Sequence, residues 1–213
     1  MILVDENAAR TWFTEVLGCT PESVERLDAL EALLSAENAR QNLVSAGSLP
    51  QVWVRHFADS AQLLTVSRGT FNSWLDLGSG AGFPGLVIAI CRPDLRVTLV
   101  ESRRKRVEWL EGVSSALRLP NVSVAGCRLE ALPTRAVDVI SARAFAPLLT
   151  IVSLSARFST PQTRWLLPKG RSGAQELAAM PKAIQRMFHV EPSVTEPDAA
   201  ILVGRGVPPA TVT

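Results

Sequence analysis

Asp76, followed by Gly78, Gly80, Gly82 and Gly85, sets a carboxylate beside a turn whose missing side chains let a ligand approach the backbone. A helix opening after such a turn points its N-terminus at that ligand. The Gly80-x-Gly82-x-x-Gly85 spacing also satisfies the dinucleotide fingerprint, so a nicotinamide nucleotide competes with S-adenosylmethionine for the site. Three details favour the sulfonium cofactor. Asp76 precedes the first glycine by two residues, where a carboxylate reaches a positive amino group or holds the loop through water, and where a pyrophosphate would be repelled. Pro84 lies in the helix-opening turn and suits a rigid loop that wraps no phosphates. Glu101 ends the next apolar run, Leu99-Val100-Glu101, where an acid takes both hydroxyls of a ribose. The bland alternative is a glycine turn of purely structural use.

Further polar candidates fall at corresponding places. Arg143 ends a later apolar run, the edge where ligands bind in open parallel sheets, and competes with a plain salt bridge at a sheet end. Lys169, between Pro168 and Gly170, ends another and faces either a nucleic-acid phosphate or solvent, with Arg171 beside it. Arg103-Arg104-Lys105-Arg106 opens a helix, where the macrodipole disfavours positive charge by some tenths of a kcal/mol. RNA phosphate is one reason for such a run; a solvated face pairing Lys105 and Arg106 with Glu108 or Glu111 is the other. His56, near Trp53 and Phe57, reads as a packing histidine or as an RNA contact. Phe83 stands in the glycine loop, where a ring covers a cofactor or walls a base pocket, whereas Trp53, Trp74, Trp109 and Trp165 read as core.

The elements that must position these groups follow from periodicity. Apolar residues at helical spacing predict helices over 6–17, 20–40 and 50–66, separated by Gly18, the cap Thr20-Pro21 and a loop from Asn42 to Pro50. From Asn72 short apolar runs alternate with amphipathic segments, the mark of a parallel sheet covered by helices. Strands are predicted at 73–77, 96–101, 121–126, 136–141, 163–167, 187–195 and 199–205, and helices at 84–91, 103–117, 146–157 and 172–184. Only Glu196-Pro197-Asp198 separates the last two strands, too short for a crossover, so they form a hairpin that adds one antiparallel strand to a mostly parallel seven-stranded α/β sheet. The domain reading is a helical N-terminal extension over 1–70 packed on a cofactor-binding core over 71–206, with a frayed tail over 207–213.

Composition narrows the function classes. The 213 residues are 47% hydrophobic and carry a net charge of +2, which suits one globular protein and does not by itself announce a nucleic-acid binder. The first ten residues already include Asp5, Glu6 and Arg10, and the apolar run Leu86–Cys91 stops at Arg92, so neither an export signal nor a membrane span is expected and a cytoplasmic location follows. Cys19, Cys91 and Cys127 form no C-x-x-C pair, and His56 and His189 have no partners at metal spacing, so no disulfide framework and no metal are expected. Nothing in the sequence signals an oligomeric state.

These residues resemble the bacterial small-subunit (16S) ribosomal RNA guanine-N7 methyltransferases, the RsmG or GidB family. The resemblance spans most of the chain. It rests on Asn42-Leu43, Arg55-His56-Phe57-Ala58-Asp59-Ser60, Asp76 to Gly85, Lys105-Arg106-Val107, Arg128-Leu129-Glu130, Ser141-Ala142-Arg143-Ala144-Phe145-Ala146 and Lys169-Gly170. It implies a class I methyltransferase Rossmann-like fold, S-adenosylmethionine as cofactor and 16S ribosomal RNA or the small subunit as partner. Cofactor contacts carried over from the family fall on Gly78, Phe83, Leu129, Glu130 and Arg143, with Glu101 as the ribose acid; His56, Arg103, Arg104, Lys169 and Arg171 remain RNA candidates. The family's Tyr-Asn-Leu element departs here, because position 41 is Gln and the chain contains no tyrosine. Guanine N7 carries an outward lone pair and no proton, so the implied transfer needs no general base, only proximity, alignment and charge stabilisation, with Arg143 and Lys169 as positioning candidates. The competing functional classes are a methyltransferase acting on another RNA or a small molecule, and a non-catalytic RNA-binding protein on the same fold.

Overall fold

The computed structural model describes residues 2–67 and 69–209; Arg68 and the end of the predicted tail, 210–213, lie outside them. Helix α1 (Glu6–Glu15) starts at Asp5, whose carboxylate accepts the Ala8 N–H at 2.8 Å, and buries Ala9, Trp12 and Phe13. Helix α2 (Pro21–Gln41) starts at Thr20, which accepts the Ser23 N–H, and ends at Asn42 in the left-handed conformation.

The continuous helix expected over 50–66 is instead three pieces. A 3-10 turn spans Ala46–Gln51 across the end of the predicted loop, a π turn spans Trp53–Ala58, and helix α3 covers Asp59–Val66. The cause is a carboxylate from another element. Glu6 of α1 accepts both the Trp53 and the Val54 N–H at 3.0 Å, giving the π turn its start, while Pro50 has no N–H to extend a regular helix.

The seven strands are β1 (Ser73–Leu77), β2 (Arg96–Val100), β3 (Val122–Ala125), β4 (Val139–Ala142), β5 (Arg164–Lys169), β6 (Phe188–Pro192) and β7 (Ala200–Arg205). Their order is β3-β2-β1-β4-β5-β7-β6, parallel throughout except that β7 runs antiparallel between β5 and β6. Between them lie α4 (Gly85–Cys91), α5 (Arg104–Ala116), α6 (Leu148–Ser155), α7 (Gly173–Ala178) and α8 (Lys182–Gln185). The single helix expected over 172–184 divides into α7 and α8 at Pro181, which cannot donate and crowds the preceding turn. The hairpin loop is 193–199, longer than the three residues expected. Val194 leaves the sheet because its carbonyl accepts the Leu3 N–H at 2.7 Å and its own N–H donates to Gln62 Oε1 at 2.8 Å.

Alternation along the strands divides the core in two. Trp74, Val97, Leu99, Val139 and Val203 face α4, α5 and the N-terminal helices, in one cluster that also holds Phe13, Leu30 and Phe57. Leu75, Leu77, Val100, Ile140, Trp165 and Leu202 face the α6–α8 side. The strand order reverses between β1 and β4, which opens a crevice beyond their carboxyl ends. No helix is long and apolar enough to cross a membrane, and no metal-holding group of three His, Cys, Asp or Glu occurs among the described residues.

Candidate active site

The loop after β1 is built by its neighbours. Gly78 has φ +63, and a Cβ there would lie 2.3 Å from the Phe145 ring, so ring and turn occupy one space only because Gly78 has no side chain. Ser79 donates its N–H to the Val100 carbonyl at 3.0 Å, and Trp109 of α5 donates its indole N–H to the Ala81 carbonyl at 3.0 Å. The Phe83–Pro84 peptide is cis.

Asp76 lies beneath this loop, wholly buried, and not on a cavity wall. Its Oδ1 accepts the Ser141 hydroxyl at 2.7 Å, Ser141 accepts the Trp74 indole N–H at 2.7 Å, and Oδ2 accepts the Gly85 N–H at 3.3 Å. Of the two roles read from sequence, the carboxylate takes the one of holding the loop, directly and not through water: it ties the start of α4 to β4. Burial pushes its pKa up to about 6, against the opposing pull of Ser141, Ser79, Gly85 and Arg143.

Above the loop a cavity of about 500 Å³ opens at the carboxyl edge of the sheet. Gly78, Gly80, Phe83, Glu101, Arg103, Leu129, Glu130 and Arg143 line it. Gly82 does not; it packs against Leu86 and Leu110. Glu101 is nearly buried, its Oε1 accepting the Ser102 and Arg103 N–H groups at 2.8 Å each and its Oε2 the Gly80 N–H at 3.1 Å. A carboxylate offers about four acceptor sites, so one remains at Oε2 for a hydroxyl from the cavity. Val100, Leu129 and Leu154 supply an apolar wall, and Arg157 fixes Leu129 through its carbonyl. A space of this size, with an acid for a sugar hydroxyl and an apolar wall for a flat heterocycle, fits S-adenosylmethionine.

A second group of side chains converges at the end of β4. Ala144 adopts φ +52, uncommon for a residue with a Cβ, and turns the chain between Arg143 and Phe145. Arg143 donates Nη1–H to Asp59 Oδ2 at 3.0 Å and Nη2–H to His56 Nδ1 at 3.2 Å, with its guanidinium 5.1 Å from the centre of the Phe83 ring. The His56 ring stacks on Phe83 at 5.1 Å and 6°. Burial, then Arg143 and Arg55, lower the His56 pKa to about 3, so the ring is neutral. A guanidinium only donates, so Nδ1 is the acceptor and Nε2–H donates to Ser48 Oγ at 2.9 Å. His56 thus packs, as one sequence reading has it, and it also holds the arginine, which neither reading included.

Arg143 and Ala144 also line a smaller cavity of about 240 Å³, with Arg55, Asp59, Lys169, Thr195 and Glu196 on its walls. Lys169 is the last residue of β5, not beyond it, and its ammonium bonds Glu176 at 3.0 Å and the Ala146 carbonyl at 3.2 Å. Arg171 is exposed and pairs with Glu196 and Asp198.

The basic run at the start of α5 separates by residue. Arg103 borders the large cavity, and Arg104 projects into solvent, pairing with Glu108 at 2.7 Å. Arg106 turns inward instead of pairing with an acid of its own helix, donating Nη2–H to the Asn42 carbonyl at 2.8 Å at the negative end of α2. Gln41, where the family has tyrosine, donates to the Lys105 carbonyl at 3.4 Å and to Glu37 at 2.7 Å, so its amide bridges α2 to α5.

Sequence reasoning gave no role to Asp59, Phe145 or Glu196. Asp59 and Phe145 stand inside motifs already noticed, whereas Glu196 sits in the expected hairpin turn and carries no local signal at all.

The family model for rRNA small subunit methyltransferase G matches residues 23–199. The chain is 60% identical to the "Ribosomal RNA small subunit methyltransferase G" of Erythrobacter litoralis over 96% of this chain and 98% of that protein. It is 57% identical to the protein of the same description from Novosphingobium aromaticivorans, over 96% and 90%. Among solved structures it resembles the S-adenosylmethionine-dependent methyltransferase SibL in its apo form, at 14% identity and TM-score 0.59, over 95% of this chain and 74% of that one, a likeness of fold.

Proposed function

The chain belongs to the rRNA small subunit methyltransferase G family, and from that premise we propose that it methylates the N7 of a guanine in small-subunit (16S) ribosomal RNA, using S-adenosylmethionine. The observation that carries this reading is the pair of cavities that share Arg143 in their walls, one fitted to the cofactor and one lined by groups that suit a base.

Glu101 and Gly80 take the ribose end of the cofactor, Leu129 and Glu130 border its heterocycle, and Gly78 with Phe145 closes over the opposite side. The cofactor supplies an electrophilic methyl group on a sulfonium. The acceptor N7 has no proton to lose, so no base is required; His56 is neutral and its Nδ1 is bonded to the Arg143 guanidinium, which it holds in place. The protein's work is alignment and electrostatics. Arg143, held by Asp59 and His56, orients the acceptor, Lys169 and Arg171 flank it, and Arg103 and Arg104 meet phosphates at the rim. The helical segment over 1–70 serves as the extension that completes the acceptor side. An activity on ribosomal subunits belongs in the cytoplasm.

The test is incubation with labelled cofactor and small subunits lacking the modification, with the product mapped by mass spectrometry. A single methyl on N7 of one guanine is expected. Label found only in other RNA, or no label at all, overturns the proposal.

A further inference from the structure

Resting on that reading, we propose that Glu196 reads the acceptor base in the smaller cavity, its carboxylate accepting hydrogen bonds from N1–H and the 2-amino group of guanine. The cavity shares Arg143 and Ala144 with the wall of the cofactor cavity, so a base seated there lies next to the residues that border the methyl donor's space.

The chemistry of the base sets what the pocket must contain. N7 has to stay free, so recognition falls on O6 and on the Watson–Crick edge, as is usual for a base removed from its stack. That edge of guanine presents two adjacent donors, and a carboxylate is the side chain that accepts two at once. The cavity offers Asp59 and Glu196. Asp59 is committed: its Oδ1 accepts from Gln62 Nε2 at 2.9 Å and Thr195 Oγ1 at 3.3 Å, and its Oδ2 accepts from Arg143 at 3.0 Å. Glu196 is not. Each of its oxygens meets one guanidinium at 3.3 Å, Arg55 at Oε2 and Arg171 at Oε1, and those arginine side chains are 47% and 74% exposed. Ion pairs of that kind contribute little and exchange readily for a ligand. Lys169 Nζ lies 3.0 and 3.2 Å from the two Glu176 oxygens and 3.2 Å from the Ala146 carbonyl, so it stands on the cavity wall as a cation held in place.

The loop holding Glu196 is fixed from outside the sheet. Val194 is tied to Leu3 and Gln62, and Thr195 to Asp59, so the N-terminal helical segment sets where the carboxylate stands. Adenine would present an acceptor at N1 and no 2-amino group, setting a lone pair against the half-buried carboxylate, which makes Glu196 the source of guanine selectivity.

The experiment is a cycle between protein and base. Wild type, Glu196→Ala and Glu196→Gln are assayed on RNA carrying guanosine or inosine at the target position; inosine keeps N7, N1–H and O6 and lacks the 2-amino group. Wild type is expected to lose about 10- to 100-fold in kcat/KM on inosine. Glu196→Ala is expected to lose a similar factor or more on guanosine and to discriminate little between the two RNAs, with Glu196→Gln intermediate. Unchanged cofactor affinity by calorimetry in the variants assigns these losses to the acceptor side. Losses that multiply independently, or a variant that still discriminates like wild type, overturn the assignment of Glu196 while leaving the methyl-transfer reading intact. Absence of transfer by wild type to either RNA overturns both.

Discussion

Arg143 is a residue whose charge is the least of its properties. Its guanidinium is held at one end by Asp59, at another by His56, and over the Phe83 ring, a geometry that needs the planar fork. Arg143→Lys keeps the charge and loses the fork, so methyl transfer should fall by about 10²-fold, the cost of a small misplacement of reacting groups, with cofactor affinity by calorimetry changing much less. Equal kinetics would remove its positioning role. Asp76 makes a different prediction, one about pH. Its folded pKa of about 6 lies above the ordinary 3.8, so between these values the native state binds more protons than the unfolded one. Stability should therefore fall as pH rises from about 4 to 6, by about 3 kcal/mol in all. Urea titrations of wild type and Asp76→Asn across that range check it: the difference between the two proteins should change steadily with pH, and a flat difference refutes the buried titration. Both residues were visible in the sequence, but their partners were not. Arg143 was legible because strand ends in parallel sheets face ligands; for Asp76 the loop-holding role was legible but its partner Ser141 was not, because it lies across the sheet, beyond anything local spacing encodes.

At the scale of elements, the glycines of the loop serve packing as much as ligand access. A Cβ on Gly85 would stand 2.2 Å from Leu99 Cδ2 and 2.9 Å from Asp76 Oδ2, within the first turn of α4 and against β2. Gly85→Ala should thus push α4 away from the sheet, lowering stability by about 1–3 kcal/mol as overpacked cores do, and weakening cofactor binding by displacing Gly78 and Gly80. Thermal unfolding together with calorimetry checks this; a variant with wild-type values on both would show that α4 can slide freely. The strands were legible as short apolar runs, as suits strands buried on both faces, and the antiparallel insertion of β7 from the short gap after β6. The failures share one cause. Helix 50–66 was broken by a carboxylate from α1, the hairpin loop was drawn out by Gln62 and Leu3, and Arg106 left its own helix face for the end of α2. Each depends on a contact between distant parts of the chain. The split at Pro181 differs, because the proline stood in view inside the expected helix and apolar periodicity was allowed to outweigh it.

For the whole molecule, net charge says little and its placement says more. A total of +2 would not draw RNA strongly, yet Arg40, Arg103, Arg104 and Lys105 border one shallow surface that adjoins the cofactor cavity at Arg103. Not every arginine of that surface is available. Arg106 spends Nη2 on the carbonyls of Gln41 and Asn42, and its Nη1 is buried without a partner among the described residues, so its cation belongs to the junction of α2 and α5. Arg104, by contrast, is held among the described residues only by an exposed pair with Glu108. This separates two effects that a simple count of arginines would merge. If Arg103 and Arg104 each neutralise one phosphate, replacing both by Ala should weaken RNA binding and lower the slope of log K against log salt by about 1.4 for single-stranded contacts and about 1.8 for duplex ones. Arg106→Met should instead lower the melting temperature and leave the slope where it was, because no phosphate contact is lost. Filter binding at rising salt, with the melting temperature of each variant measured alongside, distinguishes them. An unchanged slope in the double variant would assign the run at the start of α5 to solvation alone, and a slope that falls in Arg106→Met would place that buried cation on the RNA after all.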